Sequence, residues 1–308
     1  MTADGTEDGV SYVPVVDVSA DPGAVGRELD EICRTAGFFQ LTGHGVPDEV
    51  AERAWTTATR FFDLPLEDKL SVARPAPDYP YGYIPLAGES LSQSVAGAAP
   101  PDLKEVFNAG PPARPSRPFA DPGEAWAYSP SLWPAALPEL RVAWTAYYDA
   151  MRDLGNRLMS LFARGLELPP GYFADQTGQA ANALRAINYP ARDTAPLPGQ
   201  FRAGAHTDYG TLTILRQDAV GGLEVLDLGG RWVGVPPVPG AFVINIGDLM
   251  ARWTNDRWRS TLHRVVDPAA AAAISCLPTC LEPGEKPRYR PVLAGPHLMG
   301  KFRRSVTL

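Results

Sequence analysis

The sequence predicts a mainly β fold with helices, and three observations lead to this prediction. After residue 183, six short segments rich in β-branched and aromatic residues follow one another. Turn signals such as Gly221-Gly222 and Pro239-Gly240 divide them at the close spacing of an antiparallel sandwich or barrel. The chain of 308 residues also contains 32 prolines, which interrupt long helices and strands.

The N-terminal third is expected to combine strands and helices. The segment from Tyr12 to Val18 is rich in β-branched residues and predicts a short strand. Apolar residues recur at helical spacing from Ala24 to Thr35 and again from Pro47 to Asp63, on either side of a strand from Phe38 to Thr42. Residues 1–115 are therefore expected to form an α/β region with helical character.

The middle of the chain predicts loops followed by one long helix. Residues 75–138 are dense in Pro, Gly, Ser and Ala, which favours ordered loops with short strands of the kind that serve binding sites. Leu140 to Leu166 has a wide apolar stripe and predicts a core helix behind a sheet. With no linker visible, the simplest organisation is one domain over residues 1–308. The six predicted strands of its core lie within 184–190, 211–217, 222–228, 231–235, 240–249 and 260–266.

Charge and composition restrict the partners. With 28 Lys+Arg against 35 Asp+Glu, the formal net charge of −7 disfavours a nucleic acid or an acidic membrane as partner. No stretch approaches the roughly 18 apolar residues of a membrane helix, and the N-terminus is acidic instead of signal-like, so we expect a cytoplasmic protein. Three cysteines, Cys33, Cys276 and Cys280, favour reduced thiols over a disulfide framework or a zinc site.

The four histidines are the first candidates for metal ligands. On an extended segment residues two apart project to the same side, so His206 and Asp208 converge on one point. A further ligand such as His263 would complete the set of two histidines and one carboxylate that holds one face of Fe(II) and leaves the other open. Taken alone, the His-x-Asp pattern favours a hydrogen-bonded surface pair. We expect His44, between two glycines, to be structural, and His297 to lie at the surface or on a helix.

Several further motifs occur in order along nearly the whole chain. The C-terminal motifs are His-Thr-Asp-Tyr-Gly at 206–210, Gly-Gly-Leu-Glu-Val at 221–225, Asn-Ile-Gly-Asp at 245–248, Trp-Thr-Asn at 253–255 and Ser-Thr-Leu-His-Arg-Val at 260–265. The N-terminal motifs are Gly-Phe-Phe-Gln at 37–40, His-Gly-Val at 44–46 and Arg-Phe-Phe-Asp at 60–63. In these motifs the sequence resembles the isopenicillin N synthase-like family of Fe(II)- and 2-oxoglutarate-dependent oxygenases.

The resemblance implies a double-stranded β-helix, or jelly-roll, core in which residues 183–308 carry the iron site. It implies that His206, Asp208 and His263 bind Fe(II), that 2-oxoglutarate chelates the metal and that O2 takes the remaining position. Tyr189 matches a family position beside the cosubstrate, although an ordinary strand tyrosine fits equally well. The implied enzyme oxidises an unactivated C–H bond by hydroxylation, desaturation or cyclisation.

The sequence departs from the family where the distal carboxylate of 2-oxoglutarate is bound. The family uses an Arg-x-Ser pair on the strand after the distal histidine, where a guanidinium and a hydroxyl hold the carboxylate. Here the only serine in register, Ser275, has Ala273 two residues before it, so the arginine is missing. Ser275 is the remaining candidate for a cosubstrate ligand, and a strand-sized piece is absent between Pro268 and Ile274.

Three explanations for this gap are open: an incomplete record of the chain, a deletion, or a protein that does not use 2-oxoglutarate. Loss of a central strand would leave buried backbone groups unpaired at a cost of about 1–3 kcal/mol each, which argues against a well-folded natural deletion. Arg185, Arg259 and Arg264 could bind an anion instead, but Arg264, adjacent to a ligand on a strand, is expected to face away from the metal.

Three functions are therefore compared. The first is a 2-oxoglutarate-dependent oxygenase acting on a small amino-acid-like or specialised metabolite. The second is a 2-oxoglutarate-independent iron oxidase of the isopenicillin N synthase type, and the third is a non-catalytic jelly-roll binding protein. Residues 81–85 and 102–107 match regions that approach the substrate in the family, and we expect them to offer it aromatic groups and charged groups of both signs. We expect a small-molecule substrate, no nucleic-acid or membrane partner, and a monomer or weak homo-oligomer.

Overall fold

The framework of the protein is a set of short strands, as the sequence predicts. The computed structural model describes residues 12–93, 99–177, 180–192 and 196–267. In these ranges the strands are β1 (Val15–Asp17), β2 (Phe38–Thr42), β3 (Gly82–Ile84), β4 (Glu105–Ala109), β5 (Leu184–Asn188), β6 (Ala203–His206), β7 (Leu212–Leu215), β8 (Leu223–Leu226), β9 (Trp232–Gly234), β10 (Phe242–Ile246) and β11 (His263–Val265). The helices are α1 (Pro22–Thr35), α2 (Asp48–Phe62), α3 (Leu66–Leu70), α4 (Pro122–Ala127), α5 (Glu139–Gly165), α6 (Ala174–Thr177) and α7 (Asp248–Trp253).

The strands form three sheets. Two of them have four strands, in the orders β1-β2-β10-β7 and β6-β11-β8-β9, and the third has the order β3-β4-β5. All strand pairs are antiparallel except β1 and β2, which run parallel. This arrangement confirms the predicted class, a mainly β jelly-roll core with helices.

The alternation of side chains along the strands decides which residues reach the space between the two four-stranded sheets. Val243 of β10 and Val225 of β8 belong to one buried cluster, which joins the inner faces of both sheets. Ile244, on the opposite face of β10, packs instead in the cluster on the helical side. Because side chains alternate with a period of two, Asn245 shares the inward face of Val243.

Helices cover the outer face of the sheet β1-β2-β10-β7. Leu29 of α1 and Phe162 of α5 are completely buried in the cluster that contains Ile244. Helix α1 begins at Pro22, two residues before the predicted start, because the side chain of Asp21 accepts a hydrogen bond from the N–H of Ala24 (2.8 Å). In the described part of the chain, no helix is both long and apolar enough to cross a membrane.

Two local features differ from the sequence-based expectation. The predicted strand over 240–249 ends at Ile246, because α7 begins at Asp248 directly after it. The short helix α4 lies in the region expected to contain only loops and strands. Six residues are too few to show a helical period, although Asp121 caps this helix and Pro122 occupies its first turn.

The sheet β1-β2-β10-β7 ends at β7 within the described residues. β7 pairs with β10 on one edge, and all four residues from Leu212 to Leu215 are only partly buried. A strand that carries apolar residues and leaves one edge unpaired is a position where a further strand adds favourably. The segment from Pro268 to Ile274, where the sequence lacks a strand-sized piece, lies outside the described residues.

Candidate metal centre

His206, Asp208 and His263 meet at one end of the jelly roll. One ligand atom from each lies within 4.8 Å of the other two. The Nε2 atoms of His206 and of His263 are each 3.7 Å from Oδ1 of Asp208, and the two imidazole rings are 4.3 Å apart between centroids. The structure therefore brings together the three residues that the sequence analysis selected.

The pairing of β6 and β11 places the two histidines. His206 is the last residue of β6 and His263 is the first residue of β11, and the two are directly opposite in the antiparallel register. Asp208 lies beyond the end of β6, in the loop that leads to β7, and not on the extended segment that we expected. Its backbone C=O accepts a hydrogen bond from the N–H of Asp248 (2.7 Å), which fixes this loop against the start of α7.

Backbone carbonyls orient both imidazole rings. Nδ1 of His206 lies 2.7 Å from the C=O of Gly204, and Nδ1 of His263 lies 3.1 Å from the C=O of Thr261. A carbonyl only accepts hydrogen bonds, so Nδ1 carries the proton in each ring and Nε2 presents its lone pair to the centre. The edge of Phe38 also packs against the ring of His263, with centroids 5.1 Å apart.

Two polar side chains hold the carboxylate of Asp208. Oδ2 accepts hydrogen bonds from Nδ2 of Asn245 (2.8 Å) and from the hydroxyl of Thr213, which leaves Oδ1 facing the histidines. Asn245 on β10 and Thr213 on β7 are direct partners in the sheet register. The sequence analysis assigned neither a role, since only the strand register shows that they face the same carboxylate.

The pKa shifts of His206 and Asp208 favour the protonation states that bind a metal ion. Burial lowers the pKa of His206 to about 4, helped by the nearby His263, so its imidazole is neutral at pH 7. Burial alone would raise the pKa of Asp208, but His263 and the hydrogen bonds from Asn245 and Thr213 lower it below its usual value. A neutral imidazole on His206 and an ionised carboxylate on Asp208 are the protonation states in which these two groups bind a cation.

The donor set fits iron in type and spacing. Imidazole nitrogens and a carboxylate oxygen on one face of a site, with the other face open, suit non-haem Fe(II). Cis ligands at about 2.1 Å from an ion are separated by about 3.0 Å. The separation of 3.7 Å therefore requires the side chains to close by only a few tenths of an ångström each.

The remaining predicted residues lie elsewhere. His44 accepts a hydrogen bond from the N–H of Val46 and lies 2.8 Å from the C=O of Gly240, so it is structural as expected. Arg264 faces away from the metal, as predicted, because it pairs with Glu224 (2.7 Å). Its guanidinium also lies over two aromatic rings, those of Trp232 and Phe201.

The contacts of the candidates for cosubstrate binding say less about their role than those of the candidate metal ligands do. Tyr189 follows the end of β5 and is partly buried, and burial raises the pKa of its hydroxyl. Arg185, one of the anion-binding candidates, pairs with Glu89. Ser275, Cys276, Cys280 and His297 lie outside the described residues. The assignments of Tyr189 and Ser275 therefore stay predictions.

The charged groups of residues 102–107 are not directed at a substrate. Lys104 is fully buried against Asp102 and Glu89, and Glu105 is buried against Lys69. The expectation that this segment offers charges of both signs to a substrate is therefore wrong, because these charges neutralise one another inside the protein.

Comparisons with known proteins identify the family of this chain. Residues 13–136 match the family model of the N-terminal region of the non-haem dioxygenase in morphine synthesis, and residues 181–275 match the model of the 2OG-Fe(II) oxygenase superfamily. The chain is 33% identical over 318 residues to the 2-oxoglutarate-Fe(II) type oxidoreductase hxnY of Emericella nidulans, an alignment that covers 95% of this chain and 90% of that protein. It is 32% identical over 324 residues to homoarginine-6-hydroxylase 2-ODD-233 of Oryza sativa subsp. japonica, covering 94% of this chain and 96% of that protein.

A solved structure shows the same fold. A full-length protein of Neurospora crassa, determined in complex with alpha-KG, superposes with a TM-score of 0.71 at 29% identity and covers 98% of each chain. The alignment with hxnY is longer than this chain although it covers only 95% of it, so that relative contains stretches without a counterpart here. The whole-chain matches and the two family models thus confirm the enzyme class and cofactors implied by the sequence motifs: the protein belongs to the 2OG-Fe(II) oxygenase superfamily, an oxidoreductase family that uses Fe(II), 2-oxoglutarate and O2.

Proposed function

We propose that the protein binds Fe(II) through His206, Asp208 and His263 and oxidises an unactivated C–H bond of a small amino-acid-like or specialised metabolite. The observation that carries this proposal is the convergence of three ligand atoms within 4.8 Å, with the imidazole of His206 neutral and the carboxylate of Asp208 ionised. The relative named as a homoarginine-6-hydroxylase supports an amino-acid-like substrate. The product can arise by hydroxylation, desaturation or cyclisation.

The side chains of this protein position and protect the metal. Fe(II) and 2-oxoglutarate, when bound, supply with O2 the oxidising power for removal of a hydrogen atom from the substrate. Gly204 and Thr261 fix the histidine tautomers, and Asn245 and Thr213 fix the carboxylate of Asp208. The three ligands occupy one side of the metal, so the opposite side stays accessible to the cosubstrate and O2.

The proposed site for 2-oxoglutarate rests on fewer residues than the metal site. Tyr189 and Ser275 are the candidates from the sequence, and Tyr189 supports the proposal by its place directly after β5. Arg192 and Arg202 both pair with the carboxylate of Asp267, which follows β11 closely, so two guanidinium groups share one carboxylate there.

The organisation of the chain is also a proposal. We infer that residues 1–308 form one catalytic domain, with residues 1–115 packed on a core formed by residues 183–308. One buried cluster that contains Leu29 of α1 and Ile244 of β10 supports this view. A cytoplasmic location, the absence of a nucleic-acid partner and a monomeric or weakly oligomeric state are proposed from the acidic composition.

Turnover of 2-oxoglutarate tests the proposed function. Purified protein is incubated anaerobically with Fe(II) and 2-oxoglutarate, exposed to O2 with a panel of basic and cyclic amino acids, and assayed for succinate and for substrates that gain oxygen or lose hydrogen. We expect substrate-dependent succinate release that disappears in His206→Ala and in Asp208→Asn. His44→Ala is the matched control, since it removes a histidine that lies outside the metal centre.

The outcomes separate the alternatives. Substrate-dependent O2 uptake without 2-oxoglutarate would instead support an iron oxidase of the isopenicillin N synthase type. Absence of Fe(II) binding in the wild type would contradict the metal assignment and leave a non-catalytic binding protein. Equal activity of the wild type and His206→Ala would show that the reaction occurs at another site.

A further inference from the structure

Four charged side chains form an alternating series beside the metal centre. Arg185 pairs with Glu89, the Oε1 of Glu89 lies 3.0 Å from Nζ of Lys104, and this Nζ lies 2.9 Å from Oδ2 of Asp102. The side chain of Lys104 is fully buried and that of Asp102 is 2% exposed. Burial of such charges is costly unless their hydrogen bonds are complete, and hydrophobic residues often replace them without loss of stability. A contribution to stability alone is therefore a weak explanation for this buried pair.

Asp102 is connected to the metal ligand His206 through a single residue, Gly204. Oδ1 of Asp102 accepts a hydrogen bond from the N–H of Gly204 (2.9 Å), and this bond is buried. The C=O of the same glycine accepts the hydrogen bond from Nδ1 of His206 (2.7 Å). Gly204 therefore has its N–H fixed by a buried carboxylate and its C=O fixed on the imidazole that faces the metal.

The surroundings of Gly204 leave its backbone little freedom. A Cβ atom at this position would lie 1.7 Å from Oγ of Ser92, so the segment that carries Ser92 lies directly on β6. The N–H of Leu103 donates to the C=O of Phe201 (3.0 Å), which attaches the residue after Asp102 to the approach to β6. Glycine has the widest conformational freedom of all residues. These contacts restrict the backbone of Gly204, the residue whose carbonyl orients His206.

Asp102 accepts hydrogen bonds on both of its carboxylate oxygens. Besides Gly204, the N–H of Leu91 (3.0 Å) and the ammonium of Lys104 donate to it. All three partners are donors, and an ionised carboxylate is an acceptor on both oxygens. An amide at this position would turn its own NH2 group toward at least one of these donors.

We propose that Asp102, paired with Lys104, is a positioning residue for the metal ligand His206. It fixes the backbone of Gly204 so that the carbonyl of Gly204 holds the imidazole with Nε2 toward the metal. The inference rests on the proposed function, because it assumes that His206 is a metal ligand. Partners that orient a metal-binding histidine commonly change metal affinity 10–100-fold when they are removed.

Cobalt binding by the whole chain tests this proposal without turnover. The wild type, Asp102→Asn and the double variant Asp102→Leu/Lys104→Met are titrated with Co(II) alone under anaerobic conditions, and the visible d–d absorption of the bound ion is recorded. The double variant removes both charges of the pair and leaves Glu89 with Arg185, so it protects the experiment against misfolding of the single variant. Circular dichroism at the titration temperature verifies that each protein is folded.

Glu105→Gln is the matched control. Glu105 is a buried carboxylate on β4 that also accepts hydrogen bonds from three donors, Lys69, Tyr83 and Asn188. None of these three residues belongs to β6 or β11, so its loss should reduce stability without changing the orientation of His206. If loss of a buried carboxylate weakened Co(II) binding only through the stability of the fold, Glu105→Gln and Asp102→Asn would weaken it equally.

We expect the Co(II) dissociation constant to rise about 10–100-fold in Asp102→Asn and in the double variant, with altered d–d bands, and to stay unchanged in Glu105→Gln. Wild-type affinity in a folded Asp102 variant would overturn the inference, and so would an equal loss in Glu105→Gln. A wild type that binds no Co(II) would refute the proposed metal site itself, so the two failures are distinguishable.

Discussion

Asp30 connects helix α1 to the segment that leads into β11, and its replacement by asparagine should destabilise the protein. Its carboxylate accepts hydrogen bonds from Nε1 of Trp258 (2.7 Å), from Nε and Nη2 of Arg257 (3.1 and 2.8 Å) and from Nε of Arg34 (2.8 Å). The indole of Trp258 is completely buried and stacks edge-on against Phe162 of α5. One carboxylate thus anchors the approach to His263 on the helical layer.

The magnitude follows from these partners. In Asp30→Asn the Oδ1 atom can still accept from Trp258, but the amide NH2 then faces Arg257 and Arg34, which are both donors. A hydrogen bond to a charged group contributes about 1.5–3 kcal/mol, and the partial exposure of both arginines reduces this value. We therefore expect the free energy of unfolding to fall by about 2 kcal/mol at pH 7. Asp149→Asn, which breaks an exposed pair with Arg152, is the control and should equal the wild type within error.

The pH dependence gives a second measurement on the same variant. Burial alone would raise the pKa of Asp30, but the hydrogen bonds from Arg257 and Trp258 and the arginine charges lower it below its usual value. A carboxyl whose pKa is lower in the folded than in the unfolded state stabilises above the unfolded pKa, about 3.9, and loses this contribution as the pH falls through the folded pKa. The difference between wild type and variant should therefore be constant from pH 7 to pH 5 and shrink below about pH 4.

Urea unfolding followed by tryptophan fluorescence and circular dichroism measures the stability difference between wild type and Asp30→Asn at pH 7 and its change with pH. A difference below about 0.5 kcal/mol at pH 7 would refute the reasoning, because it would show that Arg257 and Arg34 gain nothing from the negative charge. A difference that already shrinks between pH 7 and pH 5 would show that Asp30 is not the group responsible.

Three further predictions concern the metal centre and the backbone. Asn245→Ala removes one of two donors to Asp208 and should weaken Co(II) binding about 10–100-fold with little change in fold, as measured by titration and circular dichroism; unchanged affinity would contradict the role of Asn245. Gly37→Ala should lower the free energy of unfolding by more than about 2 kcal/mol, because φ is +65° and the new Cβ would lie 2.3 Å from the C=O of Arg259; a stable variant in urea would disprove this close approach. The thiol of Cys33 is completely buried, and burial raises its pKa, so it should resist iodoacetamide until the protein unfolds; mass spectrometry of a modified Cys33 in the native protein would show otherwise.

The convergence of the three candidate metal ligands could be predicted because their signal is partly local. His206 and Asp208 are two residues apart, and His263 lies in a motif that resembles the same family as the motif around His206. The residues that hold these ligands gave no such signal. Asn245 and Thr213 face one carboxylate only because β10 and β7 pair in a particular register. A shift by one residue would turn both side chains to the opposite face.

Contacts between distant segments of the chain were also not predictable from the sequence. Asp102 and Gly204 are separated by 102 residues along the chain, and nothing in the residue pattern indicates that they are hydrogen-bonded. From the sequence, the charges of residues 102–107 were expected to meet the substrate, whereas the structure buries them in ion pairs. A charged side chain does not reveal its partner in the sequence, because the partner can come from any element that folding brings near it.

The sequence alone indicated the enzyme family, the three candidate metal ligands and the succession of short strands, since these depend on residue types at short spacings. It also indicated that the residue two positions before Ser275 is Ala273, where the family has the arginine of its Arg-x-Ser pair. Only the tertiary structure decided which polar side chains orient the ligands and which charges are buried. These properties depend on strand register and on contacts between distant segments, and such contacts form only when the whole chain has folded.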